Sequence, residues 1–405
     1  MTAMTKCPVA GGKIPVLDQD PFSPESLENP LPFQEALREA GPVAYLSKYG
    51  AYAIGRYEHM SQAVSNWQEL TSGEGVGLLP PNRARGLLQM DPPEHDTPRE
   101  VLQEILSARV LRSMKDNCMV RAEALFDELL DGVPSGGEVL VDGVQQIGAV
   151  FPVNFFPDAS GIDPAGREKL VPYADHIFNS LGPRNELFEK GAGQAKELNE
   201  WATGKCQRDA LAPECFGADI WAAADRGDIL HEHAPLLTRS LLSAGMDTTV
   251  YGISGLMHAL ATNPEQYEAL KANPGLARVA FDESLRVVSP VQQIFRVAST
   301  DVEIEGFIIP KGSRVLLSFQ SANHDPRRWE NPTKFDLNRD PSGHLAFGMG
   351  MHQCVGQHAA RLQSACLLEV MLRRVATVEL AAEVEYSHNN VLRGWGKVPL
   401  RFTLV

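Results

Sequence analysis

The densest chemistry in the chain lies in Phe347-Gly-Met-Gly-Met-His-Gln-Cys-Val-Gly356, where Gly348, Gly350 and Gly356 surround one cysteine and a helical pattern starts immediately afterwards. Glycine accepts positive φ and lets backbone approach another group closely, so this loop can aim N–H groups at the Cys354 sulfur. The positive end of the following helix acts in the same direction, and both effects favour thiolate over thiol. Phe347 can shield the sulfur from water and tune it through packing and dielectric. A Gly-rich turn around a small inert cysteine would explain a lone Gly-x-x-x-Cys. The full Phe-x-x-Gly-x-x-x-Cys-x-Gly spacing is a far more specific pattern.

Two further clusters carry chemistry. In Ala244-Gly-Met-Asp-Thr-Thr249, Thr248 can bond back to the carbonyl four residues earlier and open a helix locally. Asp247 beside it can relay protons with it as a general acid, provided placement is right. Alone, the triplet also fits a solvent-facing helix interior. Glu283-Ser-Leu-Arg286 puts a carboxylate and a guanidinium on one helix face, where a buried bidentate pair can form. Alone, that spacing is usually a surface ion pair.

The elements that must position these groups are mostly helical. Periodicity predicts a helix over 30–40, a strand pair at 43–46 and 51–54 around a Gly-containing turn, and helices through most of 94–270. The strongest helix runs from about Pro235 to Ala261, with Pro235 suited to a first helical position and Asn263-Pro264 as the stop. Residues 302–310 and 313–319 read as strands, a helix begins near Cys354 and runs to about Val375, and 400–405 is strand-like. The fold class is mainly α with a small β-rich region. Residues 1–20 read as an irregular tail and 21–405 as a single domain.

Composition narrows the function classes. The chain has 405 residues, 43% hydrophobic and 22% charged, ordinary for a globular protein with a large core. Its formal net charge of −14 argues against nucleic acid as the main partner. No stretch reaches the roughly 20 apolar residues that span a bilayer, and the N-terminus lacks a secretory apolar segment. The expectation is a cytoplasmic protein without a membrane partner. The six cysteines are scattered, without CxxC or zinc spacing.

Taken together and in this order, these motifs resemble the haem-binding loop, the Glu-x-x-Arg pair and the oxygen-binding helix of the cytochrome P450 family. The resemblance covers essentially the whole chain from Asp20 onward. It implies the cytochrome P450 fold, with haem b held between the Asp247 helix and the Cys354 helix, and a thiolate ligand from Cys354 to iron. Gly245 would leave room above the iron. Glu283 and Arg286 would hold the core beneath the haem, with Arg339 as a third member. His95, Arg99, Arg296 and His352 match positions that hold the haem propionates, and Phe347, Gly348 and Gly356 belong to the ligand loop. The implied activity is monooxygenation with O2 and electrons from a ferredoxin-type donor and its NAD(P)H-dependent reductase.

Within the family the chain looks similar to a bacterial subgroup that oxidises para-substituted benzoates such as 4-methoxybenzoate. Residues 181–187, 239–249, 289–292 and 389–394 carry that likeness. It implies that Ser240 donates to a substrate carboxylate with Arg239 behind it, and that Phe178, Leu181, Ala244, Val291 and Ile294 line the ring pocket. Ordinary helix core is the competing account of the apolar residues. The chain departs from the subgroup at Leu181 and Ile294, where the subgroup has phenylalanine, and in a shortened loop where Arg83 or Arg85 would supply the carboxylate-binding cation. Neutral methoxyphenols and other lignin-derived aromatics stay open as substrates. So does a peroxide-using or non-oxygenating haem-thiolate protein.

Overall fold

The computed structural model describes residues 13–81 and 86–405. The expected cation loop with Arg83 and Arg85 therefore lies outside the described residues. Helices form most of the body. Asp247–Thr262 runs through the middle, packed against Ala277–Val288, which in turn meets Gln357–Arg374. Its centre is apolar on nearly every side, with Ile253, Leu256, Met257 and Leu260 all buried. A helix hydrophobic all round belongs inside a large core.

A six-stranded mixed sheet covers one flank, in the order Val16–Leu17, Ala44–Leu46, Ala51–Ile54, Arg314–Ser318, Gln293–Ala298, Leu70–Thr71. The expected hairpin is present, with Tyr45 opposite Tyr52 and Gly50 supplying φ +58° at the turn. Gln293–Ala298 is buried along its whole length. Side chains alternate across a strand, so Phe295 enters a core with Phe22, Phe33 and Leu37. Ile294 and Arg296 face the opposite side, toward the interior cavity described below.

Three expectations are corrected. Val16–Leu17, inside the stretch read as an irregular tail, pairs in parallel with Tyr45 and Leu46. Two residues are too few to leave a periodic signal. Glu138–Asp142, in a region read as helical, is a strand antiparallel to Pro399–Leu404. Its partner lies some 260 residues away, beyond the reach of local pattern. The helix expected from Pro235 to Ala261 is two helices, His233–Gly245 and Asp247–Thr262, interrupted at Met246 with ψ −74°.

Glu283 and Arg286 have no exposed surface. Arg286 Nε and Nη2 donate to the two Glu283 oxygens at 2.8 and 2.9 Å, and Arg339 Nε adds a bond to Glu283 Oε1 at 3.0 Å. Removing one partner strands a buried charge, which costs about 3–5 kcal/mol. Glu283→Ala is expected to lower resistance to urea unfolding by that amount. A loss under about 1 kcal/mol, measured by the shift in midpoint, would show that the pair does not hold this core.

Candidate active site

The cysteine loop is closed by Cys354 N–H donating to Phe347 O at 2.8 Å. Gly348 and Gly350 take φ +66° and +71°, and a Cβ on Gly350 would come within 3.0 Å of Ser65 Cα. Glycine is required there for conformation and for space. The helix Gln357–Arg374 starts three residues after the cysteine. The N–H groups of Gly356 and Gln357 reach the sulfur, and Arg99 and Arg361 add positive charge. Arg361 also lies over the Phe347 ring at 4.6 Å.

Two effects act on the Cys354 sulfur in opposite directions. Burial outweighs the N–H groups and pushes the Cys354 thiol above its usual value. Desolvation disfavours the charged form, and a cation bonded to sulfur is what reverses the balance. The loop is therefore shaped for a thiolate that becomes one on binding metal.

Cys354 opens into two cavities of about 260 and 220 Å³ that share His352, Gly356, Ala244, Gly245 and Phe156. Arg99 lines the first and Arg296 the second. Arg296 is almost fully buried, yet its one hydrogen bond is to the Phe295 carbonyl at 3.2 Å, and it forms no ion pair among the described residues. Burial pulls its guanidinium down to about 10. A buried cation without a counter-charge is costly, and an anionic group beside it removes the cost. His95 Nε2 and Arg99 Nε are likewise buried without hydrogen-bond partners among the described residues. The His95 and His352 rings meet edge-on at 4.8 Å, and His352 Nε2 lies 2.8 Å from Ser72 Oγ. Burial, with Arg296 nearby, pushes His352 down to about 3, so it acts as a neutral hydrogen-bonding group. A slot bounded by one cysteine below, a helix above and unpaired cations at the edge fits a haem with its two propionates.

The helix break explains the Asp247–Thr248 pair. Thr248 Oγ1 donates to Ala244 O at 2.8 Å and Thr249 Oγ1 to Gly245 O at 3.0 Å. Two hydroxyls thus take carbonyls at the end of the first helix, which is how a helix interior tolerates an opening. Thr248 lines the cavity that contains Cys354. Asp247 does not. It lines a separate cavity of about 530 Å³ on the other flank of its helix. Burial, reinforced by Asp175, raises its carboxyl to about 8. Gly245 borders both Cys354 cavities, but its missing Cβ faces Phe156 at 3.2 Å rather than open space.

On the side away from the haem cations, Phe178, Leu181 and Ala244 border both cavities, while Val291 and Ile294 line the second. Ser240 and Arg239, on the His233–Gly245 helix, line the first. The implied Ser240–Arg239 partnership takes another form. Ser240 Oγ donates to Leu236 O at 2.8 Å, and Arg239 Nη1 reaches Thr203 Oγ1 at 3.4 Å.

Sequence reading missed Gln89, buried and lining the first cavity, and Asp175, which faces Asp247. Neither sits in a motif, and only tertiary placement exposes them. Thr249 was within reach, because the rule applied to Thr248 applies equally one residue on.

Comparison with known proteins agrees with this geometry. The family model described as Cytochrome P450 matches residues 275–386. The chain is 42% identical over 402 residues to cytochrome P450 CYP199A2 of Rhodopseudomonas palustris, covering 97% of this chain and 96% of that one. It is 30% identical to the beta-dihydromenaquinone-9 omega-hydroxylase of Mycobacterium tuberculosis, covering 95% of this chain and 78% of the relative. Among solved structures, cytochrome P450 CREJ in complex with (4-ethylphenyl) dihydrogen phosphate superposes with a TM-score of 0.85 at 27% identity, covering 95% and 98% of the two chains.

If Arg296 is the counter-charge of a propionate, Arg296→Ala should release haem about 10- to 100-fold more readily, the value of one or two charge-assisted hydrogen bonds. Transfer of haem to haem-free myoglobin measures this. Unchanged transfer would place the propionates elsewhere.

Proposed function

This chain belongs to the cytochrome P450 family of haem b-dependent monooxygenases, and we propose that it oxidises a small para-substituted aromatic acid of the 4-methoxybenzoate type. The observation that carries this reading is the apolar cavity that runs from Cys354 past Ala244 and ends at Arg239 and Ser240. Apolar walls take a ring, and a few polar groups at one end fix its orientation. A benzoate bound with its acid at that end has its para substituent directed toward Cys354. A solved relative is in complex with (4-ethylphenyl) dihydrogen phosphate, another anionic para-substituted aryl, which supports this substrate class.

Haem b, ligated by Cys354 with His95, Arg99, Arg296 and His352 around its propionates, would supply O2 activation. The chain supplies position, dryness and protons. Phe178, Leu181, Val291 and Ile294 exclude water from the ring, and Ala244 leaves room beside it. Asp247 supplies protons and Thr248 passes them into the cavity. Insertion of one oxygen into a methoxy C–H bond gives a hemiacetal, which collapses to a phenol and formaldehyde. Electrons come from NAD(P)H through a ferredoxin-type protein and its reductase.

A protonatable carboxyl beside the opened helix favours oxygen-dependent turnover over peroxide use, which needs no proton relay. Thr248→Ala is therefore expected to cut product formed per NADH by about tenfold or more while leaving peroxide-driven turnover comparatively unaffected. Unchanged coupling would remove Thr248 from the path. Cys354→Ser should abolish the red-shifted band of the reduced carbon monoxide complex, and its persistence would overturn the ligand assignment.

The acid end is tested by spin state. 4-Methoxybenzoate should shift the ferric haem toward high spin, and its methyl ester or 4-methoxytoluene should do so far less. Equal responses would favour neutral methoxyphenols and related aromatics. With Leu181 and Ile294 smaller than phenylalanine, a meta substituent should also be tolerated.

A further inference from the structure

We propose that Asp175 is a positioning residue for proton supply: its carboxylate, held by Asn389, lines the same cavity as Asp247 on the outer flank of the Asp247–Thr262 helix and marks the side from which the proton on Asp247 is replaced. This rests on the reading of Asp247 as the proton donor.

Asp247 is the first residue of its helix, beside the break at Met246. Among the described residues its carboxyl makes no hydrogen bond and no ion pair. The charged and titratable groups that share the cavity are Asp175 from Leu170–Asn179, Lys190 from Glu186–Ala192, Tyr251 one turn along, and Tyr386 and His388 from Glu385–His388. The turn Gly143–Gly148 contributes Val144 and Gln145, and Arg393–Lys397 contributes Trp395 and Gly396, none of them charged. Burial apart, the one charged neighbour that acts on Asp247 is Asp175, and it repels a second negative charge.

Asp175 is held in place. Asn389 Nδ2 donates to Asp175 Oδ1 at 2.9 Å, while Asn389 Oδ1 accepts from the Val391 and Leu392 N–H groups at 2.9 and 3.0 Å. A buried asparagine thus fixes the carboxylate to the turn that precedes Arg393–Lys397. When Asp247 gives up its proton toward Thr248, the resulting carboxylate regains one from water in this cavity. The approach of Asp175 makes that return favourable, and no other co-reactant is needed.

The test uses resting holoenzyme and infrared difference spectroscopy. The carboxylic C=O band of Asp247, identified by its loss in Asp247→Asn, is followed against pH. Asp175→Asn keeps an oxygen acceptor for Asn389 but removes the charge, and the band's midpoint should move to lower pH by on the order of one unit. Asp175→Glu should restore it. The alkaline limb of kcat for coupled turnover should shift the same way, with KM for the aromatic substrate unchanged. An unmoved midpoint in Asp175→Asn overturns the role of Asp175. Coupled turnover left intact by Asp247→Asn overturns instead the donor reading beneath it, a result the infrared titration cannot mimic.

Discussion

An arginine with no exposed surface has five N–H groups to satisfy, and Arg286 satisfies five within the chain. Two bonds go to Glu283, and the others go to the carbonyls of Asn323, Pro332 and Lys334 at 2.8, 2.6 and 3.1 Å. A buried ion pair is weak evidence for stability, since desolvation offsets most of its attraction. Its consequence here is geometric. Three segments that precede the cysteine loop are tied to one guanidinium, and none can shift without leaving a buried donor unmet. Asn323 carries the constraint onward, because its side chain accepts the Leu345 N–H at 2.7 Å where the loop to Cys354 begins. One turn earlier on the same helix, Asp282 takes Arg361 Nε at 2.8 Å, and Arg361 covers Phe347. One helix thus positions the cysteine loop from both ends.

The opposite wall follows a different logic. Where the cysteine side is over-determined by charge, the Asp247 side is opened by a missing turn of backbone hydrogen bonds, patched by two threonine hydroxyls. The opening separates two neighbours in sequence. Thr248 belongs to the cavity with Cys354 and Asp247 to the cavity toward the outside. A proton crossing from one to the other would pass the break at Met246. The raised carboxyl of Asp247 fits that position. A group that is mostly protonated below pH about 8 can donate, and it loses that ability as pH rises through this value.

The sequence showed some of this directly and hid the rest. The cysteine loop, the Glu283–Arg286 pair and the threonine that opens the helix were legible because each rests on residues within a few positions of one another. Local spacing determines local geometry. The break at Met246 was foreshadowed by Thr248, yet the apolar period ran through it unbroken. The strand Glu138–Asp142 and the pair Val16–Leu17 depend on partners far along the chain, and Asp175 acquires meaning only opposite Asp247. The surroundings of the Cys354 sulfur were legible only in part. N–H donors and a helix terminus can be read from sequence, whereas the depth of burial that opposes them is a property of the whole fold.

The substrate end of the cavity poses the sharpest discrimination problem. A carboxylic acid and its methyl ester present nearly the same ring to Phe178, Leu181, Val291 and Ile294, so shape alone separates them poorly. Ser240 does not settle the matter, because its proton is already given to Leu236. Arg239 is different. It forms no ion pair among the described residues, and its bond to Thr203 is long at 3.4 Å and made to a neutral group, so its charge is left uncompensated beside the cavity. In a chain with a formal net charge of −14, a cation at that position would favour an anion over its ester. Arg296 in one cavity and Arg239 in the other, neither in an ion pair among the described residues, set charge against otherwise apolar walls.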